Sequence, residues 1–229
     1  MIEKFKKMYK ENRKDMIIQT TIFLIVSIML VTAIVYLFIN PKRFWNTLFA
    51  IFQMCCMLAV IIGSFWLEKK FNIDIPDSLE TMFVIFAFCG FILGDVFNFY
   101  GKFKMWDSIL HTFSGIILAY SAYIIVDIFV KSQKFELVLP PIYVSIAAVL
   151  FSVSLGALWE IGEYTADDLF GLNSQQYMKT TSGTIVGEND IPLVGHEALT
   201  DTIKDLALDT AGAVVVATLA YIDKTKKSR

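Results

Sequence analysis

The feature that most constrains this chain is the recurrence of uncharged apolar runs about 20 residues long, of which Met16 to Ile39 and Phe44 to Leu67 are the clearest. A helix rises about 1.5 Å per residue, so a run of that length crosses the roughly 30 Å hydrocarbon core of a bilayer. Composition agrees. Hydrophobic residues make up 56% of the 229 and charged residues 18%, with a mean hydropathy of +0.59, outside the range of ordinary soluble domains. The expected fold is an all-α, polytopic integral membrane protein. It is read as a single membrane domain over residues 1–229, a bundle of six transmembrane helices at 16–39, 44–67, 81–100, 108–130, 137–159 and 202–222, with a long extracytoplasmic loop at 167–200.

Helix breakers mark several boundaries: Asn40-Pro41-Lys42-Arg43 joins the first two spans, and Pro140-Pro141 precedes the fifth. The sixth is the weakest. Its uncharged part, Thr210 to Ile222, is too short to cross, so the span must begin near Thr202 and carry Asp205 and Asp209 into the membrane. The first span follows a basic start, as in a signal peptide, but it is too long for one and no small-x-small cleavage site follows it.

Lys and Arg concentrate in cytoplasmic segments of membrane proteins. With the N-terminus inside, only Lys42, Arg43, Lys102, Lys104, Lys179 and Lys204 of the 20 Lys and Arg residues fall outside, so both termini are expected in the cytoplasm. Trp45, Trp66, Trp106 and Trp159 fall at expected span ends, as an interfacial aromatic belt requires. A net charge of -2 and the lack of a basic stripe interleaved with aromatics exclude a nucleic-acid partner. Cys55, Cys56 and Cys89 lie inside apolar runs with no CxxC pair, and read as small packing residues. The 167–200 connection is either a disordered loop or a lid over a site.

This orientation brings every notable polar group to the outer face: Asp95 late in span three, Asp107 and His111 opening span four, Glu160 and Glu163 closing span five, and Asp201, Asp205 and Asp209 opening span six. Asp107, His111 and Ser114 are spaced i, i+4, i+7; Glu160, Glu163 and Asp167 i, i+3, i+7; Asp201, Asp205 and Asp209 i, i+4, i+8. Each helix therefore offers one polar stripe. Asp107 and Asp201 or Asp205 also suit helix N-termini as caps. Asp95 and Asp209 lie deeper, where an unpaired charge costs about 2.5 to 3.5 kcal/mol. Many carboxylates around one imidazole, with few cations nearby, require shared protons or a bound ion. His111, Glu160, Glu163 and Asp205 are the candidate metal ligands, for Mg²⁺ or Mn²⁺ and alternatively Zn²⁺ or iron. Glu163 and Asp209 are candidate general bases, and Asp95, Asp107, Ser114 and Asp201 supporting groups. His196, beside Glu197 in the long loop, reads as surface. Gly90 and Gly94, Ser114-Gly115, Gly156-Ala157 and Ala211-Gly212-Ala213 supply small residues for close helix approach.

The strings Trp106-Asp107-Ser108-Ile109-Leu110-His111-Thr112-Phe113-Ser114-Gly115, Trp159-Glu160-Ile161-Gly162-Glu163 and Asp201-Thr202-Ile203-Lys204-Asp205 before Gly212-Ala213 resemble the YjdF-like family of uncharacterised bacterial inner-membrane proteins. The chain is similar, more distantly, to VanZ-like proteins, associated with teicoplanin resistance, although Asp209 stands where the VanZ-like pattern has Asn. The resemblance covers spans three to six and implies a bacterial plasma membrane location, without a settled reaction. Three readings stay open. The first is a metal-dependent hydrolase or transferase acting on a membrane lipid or lipid-linked envelope substrate. The second is a non-catalytic protein that binds or transports protons, ions or a ligand. The third is a structural membrane subunit.

Overall fold

The computed structural model describes residues 13–71, 75–132, 138–179 and 185–227. Lys4, Lys6, Lys7, Lys10, Lys134 and Arg229, which entered the orientation, lie outside the described residues, as do Leu137, the expected start of span five, and residues 180–184 of the long loop. Helix α1 covers Arg13–Ile39 and α2 Phe44–Phe71, joined by Asn40 and a 3-10 turn, Pro41–Arg43. Helix α3 covers Asp77–Ala87 and runs on as π-helical Phe88–Val96; α4 is the short Phe99–Lys102. Helices α5, Trp106–Ser132, and α6, Pro141–Phe170, precede a 3-10 turn, Gly195–Leu199, and α7, Thr200–Lys227. Counting α3 with its continuation, 6 helices among the described residues are long and apolar enough to cross a membrane. The described residues contain no strand, only isolated bridges between Leu172 and Ile185 and between Met178 and Pro192. The chain is thus all-helical and built as a polytopic membrane protein.

Local chemistry sets the helix ends. Pro140 and Pro141 open α6, where a missing N–H costs nothing. Gly171, at φ 65°, closes it in the left-handed conformation and donates its N–H to the Asp167 carbonyl. No proline falls between Trp159 and Gly171, and the lone Gly162 is tolerated within the helix, so α6 runs to Phe170, eleven residues beyond the expected end of span five. At 30 residues and about 1.5 Å each it is longer than the hydrocarbon core. The third span ends at Val96 rather than Tyr100. Asn98, at φ 56°, turns the chain and accepts the Gly101 N–H on its side chain to start α4.

The chain divides into two compact units, residues 1–97 and 98–229. In the first, α1, α2 and α3 pack around Val26, Met54, Met57, Val84, Ala87 and Ile92. Polar contacts that cross this apolar unit include Gln19 Nε2, which donates to Thr81 Oγ1 at 3.0 Å, and Gln53 Nε2, which donates to Asp95. Leu24, Ile28, Val31 and Phe38 remain exposed on α1, a surface suited to lipid rather than water.

In the second unit α5, α6 and α7 enclose Ala119, Ala122, Tyr123, Val144, Ala148 and Ala213. Tyr123 Oη lies 2.7 Å from Ser145 Oγ and donates to the Ala217 carbonyl at 3.3 Å, which ties all three helices together. Without a hydrophobic force between helices in lipid, contact depends on close packing. Thr112 and Gly115 on α5 face Asp209 and Gly212 on α7 reciprocally. A Cβ at Gly115 would fall on the Asp209 carbonyl, and one at Gly212 on the Thr112 carbonyl. Gly115→Ala should therefore lower unfolding free energy by about 1 to 3 kcal/mol. Gly162→Ala, which meets nothing within 4 Å, should leave the thermal unfolding midpoint in detergent unchanged or raised.

Candidate metal centre

His111 lies one turn inside α5 and is 6% exposed. Its Nε2 faces three carboxylate oxygens from three helices: Asp107 Oδ1 on α5 at 3.8 Å, Glu160 Oε1 on α6 at 3.9 Å and Asp205 Oδ2 on α7 at 3.9 Å. These separations are too long for hydrogen bonds. On the other side of the ring, Asp209 Oδ2 stands 3.2 Å from Nδ1. Among the described residues three buried side-chain oxygens have no hydrogen-bond partner: Oε1 of Glu160 and Oδ1 of Asp205, on residues only 4% and 1% exposed, belong to this cluster, and Oε1 of Glu80 lies in the first unit. A buried carboxylate oxygen without a partner is costly. The space in front of Nε2 is therefore ringed by groups that a bound cation or shared protons would satisfy. Ligand atoms of Asp107, His111 and Asp205 all lie within 4.8 Å of one another, so this cluster could hold a metal ion. Ligands at about 2.1 Å around a tetrahedral centre lie about 3.4 Å apart, so the Nε2 separations would have to close by a few tenths of an ångström and the carboxylates would have to draw together around an ion.

Asp209 is held behind the imidazole. Ser114 donates to its Oδ1, its Oδ2 meets His111, and the residue is 1% exposed. Gly156, one turn before Glu160, leaves room for this carboxylate: a Cβ there would come within 2.6 Å of Asp209 Oδ2. The residue proposed from sequence as a base is thus fully engaged inside the unit. Glu163, the other proposed base, is half-buried. Its Oε1 accepts the Trp159 indole N–H at 2.8 Å, and it lies close enough to interact electrostatically with Glu160, Asp107 and His111. Asp201, in the first turn of α7, interacts electrostatically with Asp107, Glu160 and Lys204. Asp95 belongs to the first unit, where Gln53 donates to it, whereas the carboxylates around His111 come from α5, α6 and α7. His196 is exposed in the 3-10 turn before α7.

The described part of the long connection is an ordered cover. Asp167 is buried and accepts the backbone N–H of Ser174 at 2.7 Å and of Gln175 at 3.0 Å, so the third carboxylate of the α6 stripe folds the loop rather than facing His111. Asn173 Oδ1 accepts the Met178 N–H at 2.9 Å, and Lys179 and Leu193 donate backbone N–H groups to Ile191 and Tyr177. Two adjacent glutamines then reach the carboxylates. Gln175 Nε2 donates to Thr202 Oγ1 at 2.9 Å and lies 3.5 Å from Glu160 Oε2; Gln176 Nε2 donates to Asp107 Oδ2 at 3.3 Å. Gln176 adopts the left-handed region at φ 47° to do so. Sequence reading misses Gln175, Gln176 and Thr202. A glutamine in a polar loop carries no periodicity, and only the fold of the loop gives these a target. Asp167→Ala should remove two bonds to a buried carboxylate, worth about 1.5 to 3 kcal/mol each. The amides of Ser174 and Gln175 should then lose hydrogen-exchange protection while those of α5 keep theirs.

Residues 22–226 match the family model DUF2238, "Predicted membrane protein". A curated relative, an uncharacterised protein of Thermotoga maritima, is 29% identical over 159 residues, covering 69% of this chain and 69% of its own. No solved structure matches the chain. The YjdF-like proteins that its motifs resemble are of the same family, whereas the VanZ-like similarity rests on those motifs alone. By a match over most of its length, this chain belongs to the DUF2238 family of predicted membrane proteins.

Proposed function

We propose that this protein is a metal-dependent membrane enzyme acting on a lipid or lipid-linked substrate. The observation that carries the reading is the imidazole Nε2 of His111 set among three carboxylate oxygens at 3.8 to 3.9 Å, with unpartnered buried oxygens on Glu160 and Asp205. His111, Asp107, Glu160 and Asp205 are the ligands. One imidazole with three carboxylates suits Mg²⁺, Mn²⁺, Zn²⁺ or iron. A bound divalent ion supplies Lewis-acid polarisation and nucleophile activation. Asp209 holds Nδ1 so that the Nε2 lone pair faces the ligand space, the usual support of a metal-binding histidine. Glu163, half-buried beside the cluster, is the general base, taking a proton from the attacking group. Gln175 and Gln176 hold the Glu160 and Asp107 carboxylates in place and limit access of water.

In this reading the site lies at the outer face with both termini in the cytoplasm, which the distribution of Lys and Arg supports, in a bacterial plasma membrane, which the YjdF-like resemblance implies. A transport role is less well supported. Further along the three helices the buried polar groups are Ser121, Tyr123, Ser145 and Ser152, and among the described residues no buried carboxylate or imidazole continues the path.

Purified protein, washed mildly with chelator, should retain about one divalent ion per chain by elemental mass spectrometry. His111→Ala and Glu160→Ala should lose it, and Asp209→Asn should weaken affinity by about 10- to 100-fold without abolishing binding. Turnover of lipid-phosphate or lipid-amide substrates should disappear on chelation and in Glu163→Gln, which keeps the ion. A folded wild type with no bound ion overturns the reading.

A further inference from the structure

A second feature lies just before the metal ligands. The chain between Asn98 and Ile109 forms a groove of about 540 Å³, within the roughly 300 to 1,000 Å³ typical of small-molecule sites. Its walls are Phe99, Phe103, Met105, Trp106 and Ile109, with almost no polar surface. The aromatic side is built rather than loose. Phe99 meets Phe103 and Trp106 edge to face at 4.9 and 5.0 Å between ring centres. The Phe103 N–H donates to the Phe99 carbonyl and the Trp106 N–H to the Phe103 carbonyl, both at 2.8 Å. Phe103, Met105 and Ile109 nevertheless remain 53%, 70% and 43% exposed. Lys102 and Lys104, both exposed, border this apolar groove.

The groove sits at the end of a membrane-competent helix, the level at which lipid headgroups meet acyl chains. An apolar trough with two ammonium groups at its edge matches an amphiphile of opposite charge. The trough takes the chain, and the lysines take an anionic headgroup. Asp107 and His111 follow on the same helix, within one to two turns of Trp106. We propose that this groove binds an anionic phospholipid, with an acyl chain against Phe99, Phe103 and Ile109 and the phosphate between Lys102 and Lys104, next to the metal centre. That the bound lipid is the substrate rests on the metal-enzyme reading; that it binds does not.

The test is lipid retention by the full chain, measured by native mass spectrometry after exchange into mixed phosphatidylglycerol and phosphatidylcholine micelles, with metal content read on the same samples. The wild type should prefer phosphatidylglycerol by about 30-fold, as two lysines near an anionic headgroup predict. The preference should fall towards unity in the Lys102→Gln, Lys104→Gln double variant and survive in the corresponding double arginine variant. Metal content should stay unchanged in both. Equal retention of the two lipids by the wild type, or an unaltered preference in the glutamine variant, overturns the proposal. A preserved preference in a wild type that holds no metal overturns the metal reading alone and leaves the groove as a lipid site.

Discussion

Asp209 is the group on which the second unit depends. It lies more than two turns inside α7 and is 1% exposed, in a helix of membrane-spanning length. An unpaired carboxylate there would cost about 2.5 to 3.5 kcal/mol even by lenient insertion scales. Both of its oxygens are engaged, by Ser114 and His111 of α5, and Gly156 of α6 leaves the space it occupies. The same residue thus joins three helices and fixes the face that His111 turns toward the other carboxylates. Packing and chemistry are inseparable here. The glycines that let α5 and α7 touch backbone to backbone are those that set the position of the acid behind the imidazole.

From that arrangement the rest of the site follows. With Nδ1 occupied, Nε2 points into a space bounded by Asp107, Glu160 and Asp205. Each comes from a different helix, so the space exists only while all three helices are docked. The oxygens without partners on Glu160 and Asp205 mark where the protein alone leaves its polar groups unsatisfied. In a buried network such unmet groups are costly and point to a function. The loop after α6 adds a cover whose own fold depends on Asp167 and Asn173 and whose glutamines reach back to Glu160 and Asp107.

The first unit is of a different kind. Its core is mainly apolar, crossed by polar contacts that include Gln19 with Thr81, Gln53 with Asp95 and Glu80 with Ser64, and the π-helical stretch Phe88–Val96 places Asp95 near the end of α3. A π-helical segment carries one residue more per turn than the α-helical pattern assumes, so a sequence read at 3.6 residues per turn misjudges which way a residue such as Asp95 faces.

Several properties are legible in the sequence alone. Apolar runs of span length dictate helices because a bilayer has a fixed thickness, and Pro140 and Pro141 set a helix start through backbone chemistry that needs no neighbours. Spacing of i+4 puts Asp107 with His111, and Asp205 with Asp209, on common faces. Tertiary structure decided the rest. Asp205 and Asp209, one turn apart on α7, meet opposite nitrogens of one ring, and Asp167, in register with Glu160, folds a loop instead of facing His111. Helical periodicity fixes which residues share a face. Which nitrogen, hydroxyl or amide each of them meets depends on how closely and at what height the neighbouring helices dock, and that is set by contacts between residues far apart in the chain.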